Sequence, residues 1–227
     1  MKKIGFITMI IMMTTMSAMA AGTVGEWKKV RESEGIVGWS RTNSLASVDE
    51  VRAEGIINAP VPVVEAILRH TPAMKQFMFM CTDAYGIEPA GYKNTKDSYY
   101  VYFSQGLPWP FDDRYGLGRI DWMLDKSIPG ALVVKCNTVN VPFNPPKKKM
   151  FRMPIGDVTW LLVPAANNTT KLTYQVLADP AGNLPSSIVS MLMKNVGVTT
   201  LKNIRKLAAQ EPYRSAKAIV TTAVYHE

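Results

Sequence analysis

The side chains that most often do chemistry are scarce in this 227-residue chain, and those present are poorly spaced for it. There are two histidines, His70 and His226, and two cysteines, Cys81 and Cys136. His70 ends a helical pattern just before Thr71-Pro72, a place for a cap rather than a base, and His226 falls in the C-terminal tail. No G-x-S-x-G elbow, G-x-G-x-x-G turn, P-loop or C-x-x-C pair occurs, and no histidine or cysteine grouping has metal-ligand spacing. Acid–base work by Asp, Glu, Tyr or Lys stays open. The expectation is a non-catalytic protein without cofactor or metal.

What the chain offers instead is apolar side chains at alternating positions with a few hydroxyls among them. Tyr100 and Tyr102 alternate with Tyr99, Val101 and Phe103, so one set faces inward, and Tyr100 and Tyr102 are the candidates. Leu132, Val134 and Cys136 share one face, with Lys135 and Asn137 opposite; Leu172, Tyr174 and Val176 alternate with Lys171, Thr173 and Gln175. Trp160 joins them from the strand before. Ile188 and Leu192 head the apolar positions of a long helix over Ser186–Ala208, which continue through Leu201 and Ile204. A pocket lined this way suits a ligand that is mostly hydrocarbon with one polar end.

The elements that must position these residues follow in order. A short charged segment leads to a first strand around Gly35–Arg41 and a second over Val51–Asn58, stopped by Ala59-Pro60. Val61–His70 reads as a helix, and Thr71-Pro72 starts another short one. Hairpins are expected from Thr82–Tyr92 with Asp97–Gln105, and from Arg114–Leu124 with Ala131–Val141. The stretch NVPFNPPKKKMFRMP, with its prolines and lysine run, reads as a protruding loop. VTWLLVP and KLTYQVLADP form the last two strands, Pro185 enters the first helical turn, and the long helix follows. This gives about nine strands with segregated helices, an α+β class in which a curved antiparallel sheet wraps the last helix around an apolar cavity.

Met1–Ala20 has two lysines, a short apolar run and Ala18-Met19-Ala20, the pattern of a cleaved secretory signal peptide. The expectation is an exported protein, periplasmic in a Gram-negative host. About 207 residues remain, enough for one domain over 21–209 and a tail over 210–227. Composition is globular, 47% hydrophobic and 19% charged. The formal charge of +8 becomes +6 without the leader lysines, which suits anionic headgroups; no nucleic-acid motif is present.

Three motifs carry a resemblance. Pro108–Arg114 reads P-W-P-F-D-D-R. Trp160–Pro164 reads W-x-x-x-P and is followed by L-T-Y. Asp179–Pro185 reads D-P-A-G-N-L-P before the long helix. In this order and spacing they resemble the START (StAR-related lipid-transfer) domain of the helix-grip superfamily, over roughly Glu26 to Ala209. The resemblance implies a monomeric carrier for a sterol, phospholipid or fatty-acid-like molecule, with a pair of helices closing one end of the sheet. It implies a cavity-facing arginine after the PWP segment, for which Arg119 is the candidate; a surface arginine is the other reading, since no acidic partner lies between Ser98 and Phe111. By the family's strand order, Cys81 and Cys136 stand too far apart to bridge.

A gate is expected where the long helix meets the loop 141–154. Gly197 would allow a bend, and Lys147, Lys148, Lys149, Met150 and Phe151 would touch an anionic membrane. The rival readings are a helix-grip enzyme of the polyketide cyclase/aromatase type and a partner-binding module of an envelope lipid-trafficking system.

Overall fold

A computed structural model describes residues 23–147 and 149–217. The expected leader, Lys148 and the end of the tail lie outside the described residues. Strands β1 (Lys28–Ser33), β2 (Ile36–Arg41) and β3 (Glu50–Ile57) open the chain. Helix α1 (Val61–Arg69), a 3-10 turn and the short α2 (Met74–Phe77) follow. Then come β4 (Cys81–Ile87), β5 (Ser98–Gln105), β6 (Asp113–Leu124), β7 (Leu132–Thr138), β8 (Met150–Arg152), β9 (Ile155–Ala165) and β10 (Thr169–Asp179). Helix α3 spans Ser186–Ala208.

The strands form one curved sheet in the order β1-β2-β3-β10-β9-β7-β6-β5-β4, antiparallel throughout, with β8 added parallel to β6. The architecture is the expected α+β one, with α3 packed across the concave face against β1, β2, β3 and β10. In β3 the period of two is visible in the burial: Val51, Ala53 and Ile57 are buried while Ile56 is exposed. The charged segment at the N-terminus is itself a strand. Its lysines and arginine suit the sheet's outer edge, where charge discourages pairing with another chain.

The loop 141–154 does not protrude as expected. Val141 is buried, and Phe143 stacks on Tyr102 at 5.2 Å on the convex side of the sheet. β7 pairs with β6 only from Gly118 onward, which leaves Asp113–Tyr115 without a neighbour on that side. β8 takes that slot. Met150 therefore turns onto the convex aromatic cluster, where its sulfur accepts the Tyr102 hydroxyl at 3.8 Å.

Gly197 is not a bend. The helix runs through it unbroken, and a Cβ there would lie 2.7 Å from the Cβ of Ala53. The glycine lets α3 approach β3 closely. Burial along α3 divides at this residue: the last turns bury Val198, Leu201, Ile204 and Leu207, whereas no residue from Ser186 to Val196 is fully buried. The first turn lacks a side-chain cap at its N-cap residue Pro185 and has no acidic residue.

At one end of the sheet α1 closes the core with Val63, Val64 and Ile67. Beyond α3, Tyr213 is buried, and its hydroxyl lies 2.5 Å from Nδ1 of His70 at the C-terminus of α1. His70 is thus committed to holding the tail.

Candidate functional site

Between the concave face of the sheet, α2 and the half-buried part of α3 lie two adjoining pockets. They share Met78, Phe103, Val158 and Tyr174. The outer one is bounded by Val51, Gln105, Met153, Val176 and Pro180 from the sheet side and by Leu192, Met193 and Val196 from α3. The inner one runs beneath α2 against Phe77, Ile120, Val134, Cys136 and Trp160. Their open volumes are small, about 60 and 40 Å³. That is room for a few waters or a narrow apolar group, so a larger occupant has to displace the walls.

Of the expected site residues, Val134, Cys136, Trp160, Tyr174, Val176 and Leu192 line these pockets. Leu132 and Leu172 face the same core without reaching a pocket, and Ile188 lies beyond the outer pocket's lining, half-buried near the start of α3.

Tyr100, Tyr102 and Arg119 are corrections. The inward set on β5 is Tyr99, Val101 and Phe103. Tyr102 belongs to the convex cluster with Tyr115 and Leu117. Tyr100 pairs across β6 with Arg119, and both border an open, polar depression of about 560 Å³ on the convex side. There Arg119 meets Asp121 at 2.9 Å and the Ser98 hydroxyl at 3.0 Å. Its cation is balanced at the surface, where burial costs nothing.

The buried arginine is Arg114, at 3% exposure. Its guanidinium donates to the carbonyls of Pro180 (2.6 Å), Ala181 (3.1 Å) and Asp112, and lies 4.8 Å from the Phe151 ring centre. From the other side, the Asp179 carboxylate accepts from the Ala181 N–H at 2.8 Å and from the Ser47 hydroxyl at 3.0 Å. Burial alone would raise this carboxyl, but those hydrogen bonds hold it below its ordinary value. The link from β10 to α3 is therefore pinned on both flanks, and Ala181 and Gly182 take positive φ (54° and 70°) between the pins.

The thiols face apolar surroundings. Burial pushes Cys81 up to about 11 and Cys136 up to about 12, so both stay protonated near neutrality. They are unbridged, on β4 and β7 with β5 and β6 between them. Among the described residues no group of three or more His, Cys, Asp or Glu is placed to hold a metal, and no helix is long and apolar enough to cross a membrane.

The rim beside the outer pocket is formed where β5 ends, β6 begins and β10 ends. Trp109, in the turn between β5 and β6, is 92% exposed, and Phe151 is 46% exposed. Lys147 and Lys149 are exposed nearby, with Lys147 paired to Asp113 at 2.7 Å.

No protein-family model matches the chain. It is 23% identical over 204 residues to the uncharacterized protein PA1579 of Pseudomonas aeruginosa, covering 88% of this chain and 97% of that one. Among solved structures, a STAR-related lipid transfer protein from Xanthomonas axonopodis is 28% identical with a TM-score of 0.69, covering 81% of this chain and 99% of that one. Human StAR-related lipid transfer protein 5 superposes with a TM-score of 0.70 at 18% identity, covering 80% and 85%. Human STARD10 does so at 0.68 and 16% identity, covering 83% and 75%. The fold is START-like helix-grip.

Proposed function

We propose that this START-like fold serves as an exported, monomeric, non-catalytic carrier that holds one hydrophobic molecule between its sheet and α3 and exchanges it at an anionic membrane. The observation that carries the reading is the pair of apolar pockets lying under a helix segment that is held less tightly than the rest of α3. Gly197 ties the second half of α3 to β3, while the first three turns, uncapped and nowhere fully buried, cover the outer pocket. A lipid-transfer protein with the same fold, 28% identical, supports it.

The energetics favour transfer over tight storage. A ten-carbon segment gains roughly 8 kcal/mol on leaving water for a dry pocket, at about 0.8 kcal/mol per CH2. It loses nearly the same on leaving a bilayer, so loading is close to thermoneutral. What the protein supplies is a dry interior during transit and a cover that opens at the surface. The closed pockets are small, and loading therefore requires the first turns of α3 to move outward from Val51 and Val176 while the pinned link at Pro180–Gly182 stays on Arg114 and Asp179.

The rim gives the membrane end. Trp109 presents an indole to solvent, and amphipathic rings partition to the headgroup layer. Lys147 and Lys149 add attraction of about 1 kcal/mol each near an anionic surface, less for Lys147 because of Asp113. The test is transfer of fluorescent phosphatidylcholine, cholesterol and fatty-acid probes between donor and acceptor vesicles that contain an anionic phospholipid. The protein should accelerate at least one probe, and Trp109→Ala should lower vesicle binding about tenfold without changing the melting temperature. No acceleration of any probe, with no probe bound, overturns the reading.

A further inference from the structure

One polar group stands out in the apolar walls. Tyr174 is 2% exposed and lines both pockets at their junction. Its ring is held by Trp160, 4.2 Å away between centres, and by the strand pairing of β10 with β9 and β3. Among the described residues no hydrogen bond joins its hydroxyl to another residue, and the oxygen is not one of the fully enclosed unpaired atoms, so it borders the open pocket. Buried phenols ordinarily find a partner, because an orphaned hydroxyl in an apolar setting is costly. The cost is tolerable if a ligand completes the bond.

The charges around it narrow what that ligand end is. No lysine, arginine or histidine lines either pocket. Asp49, at the edge of the outer pocket, is a carboxylate that accepts the Ser40 hydroxyl at 3.1 Å. The buried cation Arg114 directs its three nitrogens to the backbone carbonyls of Asp112, Pro180 and Ala181. Gln105 contributes an amide whose nitrogen reaches the Phe79 carbonyl at 3.4 Å. An anion brought to the junction would lose its hydration and meet no counter-charge.

We propose that the Tyr174 hydroxyl is the anchor for an uncharged, hydrogen-bonding ligand end (a hydroxyl, ester or amide), and that the junction rejects carboxylate and phosphate ends. This rests on the carrier reading. Cys136 beside it, kept protonated by burial, adds no charge.

The test uses three rigid probes of one shape, naphthalene, 2-naphthol and 2-naphthoate, with the protein titrated calorimetrically at pH 7 into dilute probe, for the wild type and Tyr174→Phe. The substitution removes only an unbonded oxygen from an apolar wall, so the variant should melt no lower than the wild type. The expected result is that 2-naphthol binds the variant about tenfold more weakly, since its hydroxyl is left without a partner, while naphthalene binds both equally. 2-Naphthoate should bind the wild type at least about tenfold more weakly than 2-naphthol. Equal affinity of 2-naphthol for both proteins overturns the anchor but leaves the carrier reading standing, provided naphthalene binds. Tighter binding of 2-naphthoate overturns the preference for neutral ends. If none of the three binds, the junction is not a binding site and this inference falls, while the carrier reading stands or falls by the lipid-transfer assay.

Discussion

Cys136 lines the inner pocket, and burial pushes its thiol up to about 12. In the unfolded chain the same thiol titrates near its ordinary value of 9.0. Between these values the unfolded chain has released a proton that the folded chain keeps. The stabilisation is therefore complete below about pH 9 and is lost as pH rises toward about 12. Cys81, pushed up to about 11, adds to the same slope. Melting temperature should fall steeply with pH above 9, and Cys136→Val should flatten that fall while changing little at pH 7. Identical slopes for the two proteins would show that this thiol is not so buried.

Residue periodicity indicated which side chains alternate but not which phase faces in. On β6, Arg119 and Asp121 share a face, and two charges on one face mark the wet side; Tyr100 pairs directly with Arg119 and goes with it. Reading β5 and β6 together would have placed Tyr99, Val101 and Phe103 inside. The strands whose opposite face carries lysine or glutamine, β7 and β10, were legible for the same reason: Val134, Cys136, Tyr174 and Val176 all line the pockets. Arg114 was visible in its motif, but two of its three partners are backbone carbonyls 66 and 67 positions away, which no spacing rule reports.

At the scale of elements, α3 is two segments in one helix. The fastened half depends on the close approach at Gly197. Gly197→Ala gains roughly 1 kcal/mol of helix propensity but forces a Cβ to 2.7 Å from the Cβ of Ala53, and overpacking costs about 1–3 kcal/mol. A net loss of about 1 kcal/mol, or roughly 2–4 °C in melting temperature, is expected, and Ala53→Gly in the same chain should restore it. An undiminished melting temperature would mean that the helix is not seated there.

The covering half depends on being weakly held. Pro185→Asp supplies the missing cap and a favourable charge at the helix N-terminus, worth about 1 kcal/mol. Amide exchange over residues 186–193 should slow about fivefold, and lipid transfer should slow with it. Slower exchange with unchanged transfer would separate the helix start from the gate. The hairpins β4–β5, β6–β7 and β9–β10, the pair α1 and α2, and the long helix were readable from turn residues and alternation. The added strands were not: β1 is too charged to show alternation, and β8 exists because β7 ends early, a property of the sheet rather than of three residues.

At the scale of the whole molecule, α1 and the tail turn at Tyr213 sit with the fastened half of α3, and the pinned link leads into the half that borders the outer pocket. The turn that exposes Trp109 follows Gln105, a lining residue of that pocket. This interior is proposed to carry a hydrophobic molecule. The measurement that addresses it most directly is organic extraction of the purified protein, followed by lipid mass spectrometry and a stoichiometry against protein mass. The account predicts one dominant apolar species at about one per chain, with an uncharged polar end. A protein that yields nothing, and that takes up no sterol, phospholipid, fatty acid or alcohol when these are offered, would contradict it.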